Sequence, residues 1–205
     1  MLQLIAMISM FIDHLGVCYG EQLGRFYFVC RCVGRLAMPL YAYFCVSGYR
    51  HTHDKWAYIL RQFIIGAFAE FAFIRLAGCF KLNICFVWGM AAGWLYAWEH
   101  RQKWIKFIYS LGLAVVFCLI PFDYFGFVPF VWVLLFYFVE DWRFICLLAV
   151  PVSFFGQYQL FALAAVPIIA ICHKYNIERI KNKNIKYIWR WFYPAHMYLL
   201  GGVAS

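Results

Sequence analysis

An all-α bundle of membrane-spanning helices is the fold class this sequence predicts, and three observations predict it. Of 205 residues, 66% are hydrophobic and only 13% are charged, against ~25% charged in an ordinary soluble domain. Apolar stretches of about 17–25 residues, long enough to cross the hydrocarbon of a bilayer, recur along the whole chain. The basic residues gather between alternate stretches instead of spreading evenly.

Nine spans are expected in order, at 2–19, 34–49, 56–78, 83–98, 104–121, 124–140, 143–155, 158–173 and 187–204. The fourth, fifth and sixth are the clearest, while the seventh and eighth are short enough to tilt or re-enter. Met1 to Met10 has no basic leader and no small-residue cleavage site after it, so the first span is expected to stay in the fold. No repeat or soluble segment interrupts the series, which predicts one membrane domain over residues 1–205. If the spans alternate, thirteen of the 18 Lys and Arg side chains fall on one side; Arg25, Arg31, Arg35, Arg75 and Lys81 fall on the other. That asymmetry predicts a multi-pass inner-membrane protein with a cytoplasmic N-terminus. The same rule accounts for the formal charge of +9 through anionic lipid, without a nucleic-acid partner. The nine cysteines mostly sit in apolar segments, where cysteine acts as a small hydrophobe.

The polar residues inside the spans are the exceptions. His14 falls late in the outward-running first span and Arg35 opens the second. Glu70 lies in the outer half of the third, Asn83 starts the fourth, Asp123 lies in an outer loop, and His196 sits near the middle of the last. Ionisable groups at such depth are costly, face the bundle interior, and mark functional sites by default.

Asp13 and His14 are neighbours, so on a helix they point about 100° apart and cannot aim at one atom. Arg35 is the natural partner for Asp13, because a short connection returns the chain to the same depth; an unpaired buried carboxylate would tend to take up a proton. His14 then remains as a base suited to proton transfer near neutral pH. In "GRLAMPLYAYFCVSGYRHTHDK" (34–55) Pro39 is expected to break the helix early, while Arg50, His51, His53 and Lys55 cluster at the inner end. Such a group suits either a phosphate-bearing ligand or a positive-inside anchor. The HxH pair and the Cys30–Cys32 pair lack the companion ligands a metal site needs. In "WFYPAHMYLL" (191–200) Pro194 is expected to kink the last helix and turn His196 toward an internal cavity.

The motifs "IDHLG" (12–16), "GRLAMPLYAYF" (34–44), "RHTH" (50–53), "NICF" (83–86), "DYFG" (123–126) and "FYPAH" (192–196), in this order, resemble the TraX family. That family is made of polytopic membrane proteins linked to N-terminal acetylation of conjugative pilin. The resemblance covers nearly the whole chain and puts Asp13, His14, Arg35, Pro39, Arg50, His51, Asn83 and His196 on the family's polar motif positions. It implies an integral membrane acyltransferase that takes an acetyl group from cytosolic acetyl-CoA. The acceptor would be an amine or hydroxyl on a peptide or glycan outside, such as a pilin-like subunit. His14 would be the general base with Asp13 as its electrostatic support, and Arg35 or Asn83 would stabilise the oxyanion. His196 would be a second base or the acid for the leaving thiolate, and Arg50, His51, His53 and Lys55 would hold the nucleotide. A proton-relaying transporter and a non-catalytic pilus-assembly factor are the alternative readings.

Overall fold

The computed structural model describes residues 1–100, 102–123, 126–156, 158–175, 177 and 183–203. Eleven α-helices follow one another among them: α1 (Leu2–Cys18), α2 (Gly20–Leu23), α3 (Arg25–Gly34), α4 (Ala37–His51), α5 (Lys55–Ala77), α6 (Ile84–His100), α7 (Lys103–Leu119), α8 (Phe127–Phe138), α9 (Trp142–Ala149), α10 (Ala165–Lys174) and α11 (Lys183–Val203). Short 3₁₀ turns at Pro151–Phe154 and Gln159–Ala164 link α9 to α10. An isolated bridge between Leu82 and Phe122 is the only β pairing among the described residues.

The all-helical expectation holds, with differences in detail. Residues 20–33, expected as a connection, form α2 and α3, and α3 runs through a tight turn at Arg35 and Leu36 almost continuously into α4. Pro39 does not break α4. It sits in the first turn, where the backbone N–H groups have no intrahelical partner in any case. α11 likewise continues through Pro194. The seventh expected span is α9 stopped by Pro151, and the eighth is a 3₁₀ turn leading into α10. Two segments are long and apolar enough to cross a membrane on their own, Arg25–His51 (27 residues) and Lys55–Ala77 (23 residues). The other expected spans are shorter or less apolar helices. Much of the basic connection 173–186 lies outside the described residues, as do Arg101, Tyr124 and Phe125.

With α3 and α4 taken as one nearly continuous segment, the long helices alternate in direction, and contacts at each end show it. At one end the Met1 ammonium donates to the Ile177 carbonyl (3.1 Å), and Arg50 donates to the Tyr137 carbonyl (2.6 Å). There the Tyr49 and Tyr137 hydroxyls donate to opposite oxygens of Glu99, joining α4, α6 and α8. At the other end the Leu82 amide donates to Pro121 (2.9 Å) and the Asp123 amide to Leu82 (3.0 Å), joining the α5–α6 and α7–α8 connections. α4 is the central helix and packs on α1, α5, α6, α8 and α10. Its buried side chains, Leu40, Ala42 and Tyr49 among them, lie in a core shared with Trp88, Leu95, Trp132 and Met197. The outward faces are apolar too: Phe26, Phe107 and Leu119 are 72%, 69% and 77% exposed. An apolar surface of this extent needs an apolar neighbour.

Candidate functional site

Asp13 is buried on α1, 4% exposed, and its carboxylate meets two guanidiniums. Arg35 Nη2 donates to Oδ1 (2.8 Å) and Oδ2 (3.1 Å), as the sequence predicts. Arg31 Nη1 adds a second ion pair to Oδ1 (2.8 Å). Arg31 lies one turn before Arg35 on the same face, which is the spacing that could have identified it. Arg35 Nε also donates to the Arg31 carbonyl (3.2 Å), so the two arginines are held as a unit. Gly34 is required beside them: a Cβ there would lie 2.2 Å from Asp13 Oδ1. Ser9 donates to the Val33 carbonyl (2.6 Å) one turn away, closing α1 against the end of α3.

The expected support of His14 by Asp13 is replaced by a different arrangement. With its oxygens taken by Arg31 and Arg35, Asp13 anchors helices, and the partner of His14 is His196. His14 Nδ1 lies 2.8 Å from His196 Nε2, with the rings stacked at 5.0 Å. His196 Nδ1 lies 2.7 Å from the Phe192 carbonyl, which can only accept, so Nδ1 carries a proton. In the neutral pair, His196 Nε2 is then an acceptor and His14 Nδ1 its donor. The lone pair left over is on His14 Nε2. His196 is 4% exposed and braced by Phe192, stacked at 4.8 Å, and by the edges of Phe11 and Tyr193.

His14 lines a cavity of about 570 Å³, within the range of small-molecule and cofactor sites. One face of α4 forms its wall, through Ala37, Met38, Tyr41, Phe44, Cys45, Gly48 and His51. From Ala37 to His51 this stripe is about 21 Å long at 1.5 Å per residue. Asp13, His14 and Asp123 line one end; His51, Thr52, Arg61 and Arg190 line the other. Between them the walls are mainly apolar, with Ile65, Ile84, Cys85 and Trp88. Tyr41 stacks on Trp189 of α11 (4.7 Å, 7°), and its hydroxyl is buried with no hydrogen-bond partner among the described residues. Sequence reading passes over Tyr41 and Trp189, because an aromatic on an apolar helix carries no mark of what it faces.

The remaining expected site residues divide. His51 is at the cavity and donates through Nδ1 to the Ser47 carbonyl (2.7 Å). Arg50 instead bonds the end of α8 and lies over the Tyr137 ring at 5.1 Å. Lys55 donates to the Tyr49 carbonyl and covers the Tyr49 ring at 4.2 Å, closing the end of α4. His53 is exposed in the α4–α5 connection. Asn83 is fully buried and absent from the cavity lining: its amide donates to the Gly66 carbonyl (2.8 Å) and to Glu70 (2.6 Å) and accepts from the Cys85 N–H (3.0 Å). Both amide hydrogens are spent, so Asn83 opens α6 and ties it to α5, and it has none left for an oxyanion. Arg35, spread over Asp13 and Arg31, is committed in the same way.

These features define a class: a helical bundle with an apolar exterior and an internal cavity that runs from His14, backed by His196, to a basic mouth. The chain belongs to the TraX family, whose model, described as TraX protein, matches residues 1–204. It is also 33% identical over 69 residues to the "Probable fimbrial assembly protein FimC, serogroup H1" of Dichelobacter nodosus. That match takes in 34% of this chain and 28% of the relative, so the similarity is to a part of a longer protein. No solved structure matches the chain.

Proposed function

We propose that the protein is a polytopic membrane acyltransferase that carries an acetyl group from cytosolic acetyl-CoA to an amine or hydroxyl presented on the outer side. The observation that carries this reading is the His14–His196–Phe192 relay, which leaves His14 Nε2 as a base at one end of a long cavity. Family membership supports acetyl transfer to a pilin-like acceptor, and the fimbrial relative supports a role in surface-fibre assembly. The apolar exterior supports a bilayer setting. In it the segment Arg25–His51 and α5 span directly, the remaining segments cross in shorter or composite pieces, and the end holding Met1 and His51 faces the cytoplasm.

In the reaction, an acceptor amine or hydroxyl attacks the thioester carbonyl carbon while His14 Nε2 takes its proton. The imidazolium keeps its Nδ1–H donated to His196, whose neutral ring is held in the accepting tautomer by Phe192. The tetrahedral intermediate collapses by breaking the carbon–sulfur bond, and the thiolate recovers the proton from His14 Nε2. This regenerates the base and releases acylated acceptor and free thiol. The cavity length suits an extended neutral arm with the acyl group at His14 and the nucleotide at the basic mouth.

His14→Asn is the test. Asparagine can keep a donor near the Nδ1 position for His196 but has nothing at Nε2. The variant should fold and bind CoA, while acetyl transfer falls by the typical 10²- to 10⁴-fold of a lost general base. Wild-type transfer should also fall as pH drops, because a protonated Nε2 cannot accept. Undiminished transfer by a folded His14→Asn protein would remove His14 from the chemistry.

A further inference from the structure

We infer that Arg61 and Arg190, rather than Arg50 and Lys55, form a phosphate-binding pair at the mouth of the cavity. The four cationic groups singled out in the sequence are Arg50, His51, His53 and Lys55. Arg50 and Lys55 spend their charge on helix-end carbonyls, Tyr137 O and Tyr49 O, where a cation complements the helix dipole. Arg61 and Arg190 come from distant parts of the chain and line the cavity together with His51, Thr52 and Gln62.

Their helices explain the meeting. α5 and α11 run in the same direction and pack extensively. Near the far end Gly201 faces Ala72, with room for a Cβ only 3.4 Å from the Ala72 carbonyl. Eleven residues, about three turns, back along each helix stand Arg61 and Arg190, on the faces that meet. Arg61 is half-buried, and its guanidinium carbon lies over the Tyr58 ring at 5.6 Å, which keeps the group at the mouth. Arg190 is exposed. Two guanidiniums at one opening make a donor array matched to phosphate oxygens. The apolar midsection, Phe44, Ile65 and Trp88, excludes a charged tail. The ligand is therefore a phosphate ester, mono- or diphosphate, with an uncharged arm that reaches toward His14. Both an acyl-CoA and a phospholipid meet that description, and the acyl-transfer reading above is used only to favour the first.

The test uses the full-length protein in nanodiscs, with Arg61→Gln, Arg190→Gln and the double variant checked for wild-type thermal unfolding. CoA is titrated in phosphatidylcholine discs, and phosphatidylglycerol retention is measured in mixed discs. Each single variant should weaken CoA about tenfold or more, the loss of one charge-assisted contact. The double variant should also lose most of the salt dependence of binding, and Arg61→Lys should restore only part of the affinity. Arginine-dependent retention of phosphatidylglycerol with no CoA binding would uphold the phosphate pair and reject the nucleotide donor. Wild-type affinity for both probes in the double variant would overturn the pair and leave the role of His14 standing. A wild-type protein that binds neither probe would overturn it as well.

Discussion

Asp13→Asn removes the charge on which α1, α3 and α4 converge, and its cost can be worked from the geometry. The substitution keeps size and shape but leaves Arg31 and Arg35 facing each other across a neutral amide. Two contacts of 2.8 Å link the carboxylate to the guanidiniums. With charge centres about 4 Å apart, each pair is worth ~4 kcal/mol at an effective dielectric of 20. Desolvation cancels much of that attraction, and breaking a buried pair from one side typically costs ~3–5 kcal/mol. The side chains of Arg35 and Arg31 are 3% and 18% exposed, so water can relieve Arg31 more readily than Arg35. The expected order of destabilisation is Asp13→Asn, then Arg35→Gln, then Arg31→Gln, because either arginine variant still leaves Asp13 the other guanidinium. Asp13→Asn combined with Arg35→Gln should be less damaging than Asp13→Asn alone, since the stranded charge goes with it. The assay is denaturation in detergent, followed by the reaction of a thiol dye with the buried Cys45, Cys85 and Cys172. Strictly additive losses in the double-mutant cycle, or an Asp13→Asn protein as stable as wild type, would refute the cluster as a structural tie.

Two further expectations follow from the same region. Gly34→Ala would place a methyl 2.2 Å from Asp13 Oδ1 and 2.4 Å from its Cβ, so it should mimic Asp13→Asn in stability, and a wild-type melting temperature would show that α1 and α3 can separate without cost. His196→Gln keeps an acceptor near the Nε2 position while losing the donor to Phe192. It should therefore retain much more transfer than His196→Ala with CoA affinity unchanged in both, and equal rates in the two variants would deny His196 a positioning role.

How much of this was legible in sequence differs by residue. The helical class followed from composition, because a chain with so few charges must satisfy its backbone internally wherever it meets an apolar neighbour. The Asp13–Arg35 pair was legible as well, since a buried carboxylate demands a cation and a short connection limits which one can reach it. His14 and His196 stood out individually as costly residues in apolar helices. Their contact was not legible, because 182 residues separate them and only the packing of α11 on α1 brings the rings together. The tautomer that makes His14 the base depends on one further distance, from His196 to Phe192. The basic mouth was legible only in part, through His51: composition counts charges but not what each one is spent on, and Arg50 and Lys55 are spent on helix ends. Arg61 and Arg190 looked like two more loop-side cations until α5 and α11 were seen side by side. Residue type and spacing thus determined which groups had to be paired or covered, since that cost is local. Which partner each group found was decided by helix packing, because side chains far apart in sequence interact only at distances that packing sets.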